Sequence, residues 1–166
     1  MKEILNRRSI RRYTNEKIDT KIIGDLLKAA MAAPSAGNEQ PWEFIVIKNK
    51  NTLKDLTKIH PYASMLKEAD TAIIVCGNLN KQKFEGYWVQ DVSAATENIL
   101  IEAEHKNLGA VWLGVYPTED RVKSIKAMFN LPNDIIPFSI ISLGYKNEEK
   151  EPSNRYDKSK IHYERW

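Results

Sequence analysis

Apolar residues recur along this chain with two different spacings, which predict helices in some stretches and strands in others. A stripe at helical spacing follows the capping residue Asp19 and stops before Pro34, so a helix is expected between them. A longer stripe predicts a second helix from about Tyr87 to Lys106, with Gly109 as the left-handed residue that ends it. Two shorter helices are expected at Thr52 to Ile59 and after the capping residue Thr118.

Four runs rich in β-branched and aromatic residues predict strands. They are Trp42 to Ile47, Thr71 to Gly77, Ala110 to Tyr116 and Pro137 to Tyr145. The second run is apolar at almost every position, which is typical of a strand that is buried on both faces. The pattern assigns no element to Asn78 to Gly86. The final segment, Lys146 to Trp166, is charged and then aromatic, so we expect an arm that docks on another surface.

Composition narrows the class of protein. The 166 residues fit one domain, and 25 basic against 22 acidic side chains leave a net charge of +3, too small to indicate a nucleic-acid or membrane partner. The single cysteine, Cys76, lies in an apolar run, so we expect a small buried hydrophobic residue and no internal disulfide. The N-terminus lacks the apolar core of a signal peptide, and no run is long enough to cross a bilayer. We therefore expect a soluble, cytoplasmic protein.

The most concentrated charge is the basic turn, Arg7 to Tyr13, which contains four arginines in six positions. Guanidinium groups match the geometry of a phosphate, and the hydroxyl of Ser9 and turn amides can take its remaining oxygens. In a helical turn, Arg7 and Arg11 would share one face. The turn is thus a candidate phosphate site, and a solvated basic turn is the alternative that this stretch alone leaves open.

A second candidate is the proline-bounded loop from Pro34 to Trp42, which consists largely of small and amide side chains. Such a segment lets a flat ligand approach the backbone closely, although a plain loop has a similar composition. The chain contains no Gly-x-Ser-x-Gly sequence, and its three histidines are scattered singly, so neither a serine nucleophile nor a built-in metal site is indicated. If the protein is an enzyme, we expect a bound cofactor to supply the chemistry and no catalytic side chain.

Five signals occur in a fixed order. They are Arg7-Arg8-Ser9-Ile10-Arg11, Pro34-Ser35-Ala36-x-Asn38-x-Gln40-Pro41-Trp42, Trp112-Leu113-Gly114, Leu143-Gly144-Tyr145 and Arg155. With the helix and strand types between them, they resemble the flavin-dependent nitroreductase family from end to end. The resemblance implies an α+β nitroreductase-like fold with a central mixed sheet flanked by helices. It also implies one domain, 1–166, whose C-terminal arm (about residues 146–166) is exchanged in an obligate homodimer with two FMN molecules at the interface.

The same resemblance implies three groups of cofactor-binding residues. Arg7, Ser9 and Arg155 would hold the FMN phosphate, with Arg8 close to the ribityl chain and Arg11 beside N1 and the C2 carbonyl of the ring. Pro34, Ser35 and Ala36 would come from the other subunit and line the ring, with Asn38 holding that loop or touching the pocket. Trp112, Leu113 and Gly114 would lie on the opposite side, with the Gly114 amide near N5.

The function that the resemblance implies is a two-step relay in which NADH or NADPH gives hydride to flavin N5, and a nitroaromatic, quinone or similar acceptor then takes it from the same cavity. A relative with the same FMN fold but another redox task, such as flavin breakdown, dehalogenation or dehydrogenation, is the first alternative. The second is a non-catalytic domain that binds nucleic acid through the arginines. Against it, the aromatic residues fall in predicted core elements and are not interleaved with basic ones.

Overall fold

The computed structural model describes residues 2–166, which contain five α-helices and four β-strands. The helices are α1 (Lys2–Asn6), α2 (Thr20–Met31), α3 (Lys50–Ile59), α4 (Trp88–His105) and α5 (Glu119–Phe129). The strands are β1 (Trp42–Ile47), β2 (Thr71–Asn78), β3 (Leu108–Gly114) and β4 (Ile135–Tyr145). None of the helices in this part of the chain combines the length and the apolar character that a membrane span requires.

The four strands form one sheet in the order β1-β2-β4-β3, and every neighbouring pair of strands is antiparallel. The expected mixed sheet is therefore corrected in one respect: among the described residues, parallel pairing is confined to the bridge between Ser9 and Ala110. This bridge lies at the edge of β3, where the basic turn crosses it. The expected α+β arrangement of a central sheet with helices around it is confirmed.

The sheet separates two apolar clusters, and β2 contributes to both. Ile73 and Val75 pack into the cluster that contains α2 and α4, whereas Ala72, Ile74 and Cys76 pack into the cluster that contains α3 and α5. This alternation follows from the two-residue period of a strand. It confirms the prediction of a strand that is buried on both faces.

Cys76 is a buried free thiol, as predicted. Burial raises its pKa to about 12, so the thiol stays protonated at neutral pH and behaves as an apolar side chain.

Most of the predicted elements occur within a few residues of their predicted ends. Asp19 caps α2 by accepting a hydrogen bond from the Lys21 amide at 2.7 Å, as expected. The prediction for Gly109 was wrong, because Asn107 takes the left-handed conformation (φ 58°) and Gly109 lies inside β3. Position 109 requires glycine for a different reason. A Cβ there would lie 2.6 Å from Cγ2 of Ile10.

The C-terminal segment, residues 146–166, runs along the outside of the chain. Its first residue bridges back to Tyr13, and a short turn at Lys158–Lys160 is its only helical element in the described structure. Tyr163 is 85% exposed and Trp166 is 100% exposed. The expectation that this arm docks on a second subunit remains a prediction.

Candidate functional site

The basic turn is held in a fixed position by backbone pairing and by two glycines. The amide of Ile10 donates to the carbonyl of Ala110 on β3 at 2.9 Å. The buried side chains of Ile10 and Tyr13 then pack over Gly109 and Gly144, which are cross-strand partners in β3 and β4. Because α1 ends at Asn6, the turn is extended, and the helical pairing of Arg7 with Arg11 does not arise.

The arginines of this turn differ in how completely their donors are used. Arg8 donates from Nε to the carbonyl of Glu151 and from Nη1 to that of Leu5, each at 2.8 Å. Its Nη2 is buried without a hydrogen-bond partner within residues 2–166. Arg7 Nε lies 3.1 Å from a carboxylate oxygen of Glu97 on α4, but it is not aligned for a hydrogen bond.

A buried, unpaired guanidinium donor costs free energy, and an anion is the partner that would satisfy it. The donor set of this turn therefore fits a phosphate group.

The C-terminal segment reaches the same part of the molecule. Lys150 Nζ donates to the carbonyl of Ser9 at 2.6 Å. Arg155 lines a cavity of about 470 Å³ together with Leu5 and Asn6, the residues just before the basic turn. The structure thus brings arginines from both ends of the chain to the surface around the end of α1.

The loop after α2 is held by its own side chains and by α4. The amide of Ala36 donates to Asp91 Oδ1 at 3.0 Å, and the amide of Gln40 donates to Ser35 Oγ at 3.1 Å. Asn38 has a left-handed φ of 54° and accepts a hydrogen bond from the Gln40 side chain at 2.8 Å. Pro34, Ser35 and Ala36 line a cavity of about 280 Å³ against the start of α4.

The third predicted group lies at the end of β3, an edge strand of the sheet. The Trp112 ring is half-buried and packs edge-on against Phe138, with 5.6 Å between ring centroids. Leu113 is only 4% exposed, and its side chain belongs to the cluster with α3 and α5. Only the backbone of Leu113 is therefore available to a ligand at this edge.

Gly114 is held by two residues that no sequence pattern assigns to the site. Its carbonyl accepts hydrogen bonds from His60 Nε2 and from Arg121 Nη1, both at 2.9 Å. His60 Nδ1 accepts the amide of Tyr62 at 3.2 Å, which places the ring proton on Nε2. Burial lowers the pKa of His60, so its ring is neutral at neutral pH.

No sequence signal identified this pair of donors, because a lone histidine and a helix arginine have no local pattern that points to a distant carbonyl.

The three groups do not converge on one cavity. The basic turn contacts α4 at Glu97, whereas the loop contacts α4 at Asp91, six residues earlier and about 9 Å along the helix axis. The cavity beside the loop is lined by Pro34, Ser35 and Ala36 and by none of the arginines. Another cavity, of about 370 Å³, is lined by Arg8 and by none of the loop residues.

Comparison with known proteins agrees with this architecture. The family model described as "Nitroreductase family" matches residues 4–61 and 58–145. A protein of Methanothermobacter thermautotrophicus, provisionally named an NADH dehydrogenase/NAD(P)H nitroreductase, is 46% identical over 166 residues, covering 100% of this chain and 87% of that protein.

Solved structures give the same result. A provisionally named NADH oxidase of Clostridium acetobutylicum superposes with a TM-score of 0.96 at 48% identity, covering 99% of both chains. An FMN-dependent nitroreductase of Clostridium difficile has a TM-score of 0.92 at 31% identity, covering 100% of both chains. On the family match and on this near-complete similarity of sequence and fold, the chain belongs to the nitroreductase family.

Proposed function

We propose that this protein is an FMN-dependent oxidoreductase that passes hydride from NADH or NADPH to nitroaromatics, quinones or similar electron-poor acceptors. The names of its relatives support the FMN cofactor and the nicotinamide donor. We assign residues 1–166 to one FMN-binding domain with a C-terminal arm. Bound FMN supplies the hydride chemistry, and the chain supplies position, polarity and exclusion of water.

The observation that carries the proposal is the unpaired, buried Nη2 of Arg8 in a basic turn whose backbone is fixed against β3. We assign the phosphate to Arg7, Ser9 and Arg155, with Arg8 beside it. Arg155 enters this set because it lines the cavity at the end of α1. Arg8 lines a neighbouring cavity that shares Asn6 and Pro152 with it, and a dianionic phosphate would offset the positive charge on this part of the surface.

Arg11 is assigned to the flavin ring. Its side chain is exposed, and no carboxylate of residues 2–166 forms a salt bridge with its guanidinium. The turn holds this residue from the backbone side, where the Arg11 amide donates to the Glu148 carboxylate. Its charge is therefore available to stabilise negative charge on a bound ring.

The remaining wall is assigned to a second copy of the chain. Because the loop and the basic turn contact α4 at different points, we propose that Pro34, Ser35, Ala36 and Asn38 of one protomer complete the site that the arginines of its partner begin. The half-buried Ser35 and Ala36 and the exposed Pro34 and Asn38 leave this loop open to such a contact. The proposed assembly is a homodimer with FMN at the interface.

The end of β3 is assigned to the reactive edge of the flavin. Residues two apart in a strand direct their amides to the same side, and Ala110 directs its carbonyl to the edge away from β4. By this alternation, the amides of Trp112 and Gly114 also face that edge. His60 and Arg121 fix the Gly114 carbonyl, which restricts the orientation of this residue.

An absorbance spectrum of the purified protein tests the proposal. We expect a yellow protein with bound flavin, whose flavin absorbance is bleached when NADH or NADPH is added without oxygen and returns when a quinone is added. A colourless preparation that also fails to bind added FMN would refute the cofactor assignment. Flavin that neither nicotinamide reduces would refute the proposed donor.

Two arginine variants test the assigned phosphate site. Arg8→Ala removes the buried donor, and we expect FMN to bind roughly tenfold to a hundredfold more weakly, as is typical when a charge-assisted hydrogen bond is lost. Arg12→Ala is the matched control, because Arg12 is exposed and pairs with Glu68 at 2.9 Å. Equal FMN dissociation constants in the two variants would contradict the assignment.

A further inference from the structure

Two carboxylic side chains are buried beside the loop that follows α2. Glu39 is 6% exposed and lies within the loop, directly after Asn38, and Asp91 is 4% exposed in the first turn of α4. Buried carboxylates are normally paired with a cation. Within residues 2–166, no lysine or arginine forms a salt bridge with either of these two.

Each carboxyl group uses one oxygen and leaves the other unpaired. Asp91 Oδ1 accepts the Ala36 amide at 3.0 Å. Glu39 Oε2 accepts the amides of Lys83 and Phe84, at 2.6 and 3.2 Å. The second oxygens, Asp91 Oδ2 and Glu39 Oε1, are both buried and have no hydrogen-bond partner in the described structure.

The two unpaired oxygens belong to groups that interact with each other. Burial raises the pKa of Asp91, and the neighbouring Glu39 raises it further, against the lowering effect of the Ala36 amide. Two neighbouring ionised carboxylates without a cation would repel each other in a medium of low dielectric constant. One proton between the second oxygens satisfies both and removes the repulsion.

We propose that Glu39 and Asp91 share one proton, and that the resulting Asp91 Oδ2 to Glu39 Oε1 hydrogen bond holds the loop against α4 as a positioning device for the cofactor pocket. The shared proton rests on the burial of both carboxyl groups, on their two unpaired oxygens and on the absence of a paired cation within residues 2–166. Its effect on the pocket rests on the proposed function, because it requires that Ser35 and Ala36 line the bound flavin.

The contacts of the pair define what it positions. Glu39 ties the loop to Lys83 and Phe84, and Asp91 ties the Ala36 amide to α4. Asp91 also lines the cavity of about 280 Å³ together with Ser35 and Ala36. Loss of the shared proton would push the two carboxylates apart and shift the part of the loop that faces this cavity.

Two titratable side chains, Lys83 and Tyr87, belong to the segments that contact the pair. Lys83 directs its ammonium group to the carbonyl of Gly37 at 3.3 Å, and Tyr87 lines the same cavity as Asp91. The amino end of α4 favours an ionised Asp91, in opposition to burial.

The sign of the pH effect follows from the raised pKa of Asp91. The contribution of the pair to stability is present at acidic pH and is lost as the pH rises through the apparent pKa of the pair.

Amide variants distinguish a shared proton from two ionised groups. In Asp91→Asn, the oxygen can still accept the Ala36 amide while the NH2 group donates to Glu39 Oε1. In Glu39→Gln, the oxygen can still accept the amides of Lys83 and Phe84 while the NH2 group donates to Asp91 Oδ2. Each single variant therefore keeps the hydrogen bond at every pH, whereas the double variant places two NH2 groups face to face.

The test measures the melting temperature of the full-length, FMN-loaded protein from pH 5 to pH 9. We expect wild type to match each single variant at pH 5 and to melt about 3 °C or more below them at pH 9. The double variant is expected to melt below both single variants throughout. Glu85→Gln is the control, because Glu85 is exposed in the neighbouring segment, and it should follow the wild-type curve.

Curves for wild type and both single variants that stay parallel across this range would overturn the shared proton. A second readout is the infrared C=O stretch of a protonated carboxylic acid. It should be stronger in wild type than in both single variants at pH 5 and should weaken as the pH rises, and its absence from wild type at pH 5 would also overturn the proposal. Each single variant replaces one carboxyl group of the pair by an amide. If one of them fails to fold, the other still tests the shared proton.

The effect on the pocket is measured separately, as the FMN dissociation constant against pH. We expect wild type to bind FMN more weakly as the pH rises, and each single variant to bind it with a flatter pH dependence. A wild-type affinity whose pH dependence equals that of Asp91→Asn would overturn the positioning role. A protein that binds no FMN would refute the proposed function, and the melting curves of the flavin-free protein would still test the shared proton.

Discussion

At the scale of single residues, His60 shows how a buried side chain can support a site without touching a ligand. Its two ring nitrogens bond to the backbone at Gly114 and Tyr62, so it joins the end of β3 to the segment after α3. Only the neutral ring can do both, because a protonated ring has no acceptor for the Tyr62 amide. Burial favours this neutral form, which is why the pKa of His60 is lowered.

We predict that His60→Gln destabilises the protein by about 1–2 kcal/mol at pH 7.5. Glutamine can replace the donor to the Gly114 carbonyl, but it leaves the Tyr62 amide without its acceptor. In wild type, the unfolded chain takes up a proton near pH 6.5 before the folded protein does, so this stabilising contribution decreases as the pH falls below that value. The difference in unfolding free energy should therefore narrow towards pH 5.

Chemical denaturation at several pH values measures this difference. His162→Gln is the matched control, since His162 is exposed on the C-terminal arm and should show no such loss of stability. If the difference in unfolding free energy between wild type and His60→Gln is the same at pH 7.5 and pH 5, the neutral ring is not the source of the stabilisation.

At the scale of elements, the basic turn depends on a flat region of the sheet. Gly109 and Gly144 face each other across β3 and β4, and together they leave room for Ile10 and Tyr13. The Tyr13 hydroxyl then donates to the Ile10 carbonyl at 2.8 Å, which closes the turn around its arginines. The position of the proposed phosphate site therefore depends on Gly109 and Gly144, which have no side chain.

We predict that Gly144→Ala destabilises the protein by about 1–3 kcal/mol and weakens FMN binding. The new Cβ would lie 2.7 Å from Cγ of Tyr13, so the ring and the turn must shift. Gly24→Ala is the control: this glycine lies in α2, and a Cβ there would have nothing within 4 Å, so alanine should stabilise the helix by about 0.5–1 kcal/mol. Thermal unfolding and FMN titration of both variants measure the two effects.

If the Gly144→Ala protein is destabilised but its FMN affinity is unchanged, the position of the basic turn does not control cofactor binding.

The elements that the sequence predicted well are those whose signal is local. Periodicity and capping gave α2 and α4 within a few residues, and β1 occurs at its predicted bounds. The short helix α1 was not predicted, because five residues carry too little periodicity. The antiparallel order of the sheet was not predictable either, since nothing within a strand specifies its neighbours.

The candidate site shows the same limit. The basic turn and the proline-bounded loop could be predicted because each is contiguous in sequence. The Glu39 and Asp91 pair and the two donors to Gly114 were not, because they arise only when distant segments meet. The need for glycine at position 109 could not be predicted either, because the residues that pack against it, Ile10 and Tyr13, are distant in sequence.

At the scale of the whole molecule, the C-terminal arm leaves large apolar side chains in water. Tyr156, Tyr163 and Trp166 are all exposed on a single copy of the chain. A buried tyrosine or tryptophan removes about 150–250 Å² from water, which corresponds to about 4–6 kcal/mol of transfer free energy for each side chain before the costs of association. An isolated chain gains none of this, which is the physical reason for the proposal that the arm packs on a second copy.

We predict that truncation after Arg155 weakens the dimer and lowers the FMN content. The truncation keeps the assigned phosphate ligand but removes Tyr163 and Trp166, so any loss of flavin reflects the assembly and not the arginine. Sedimentation velocity and the flavin-to-protein absorbance ratio measure the two effects. Lys158→Ala, an exposed substitution on the same arm, should leave both unchanged. A truncated chain that remains a flavin-loaded dimer would show that the arm does not hold the subunits together, and the interface would then have to lie on the helices and the loop.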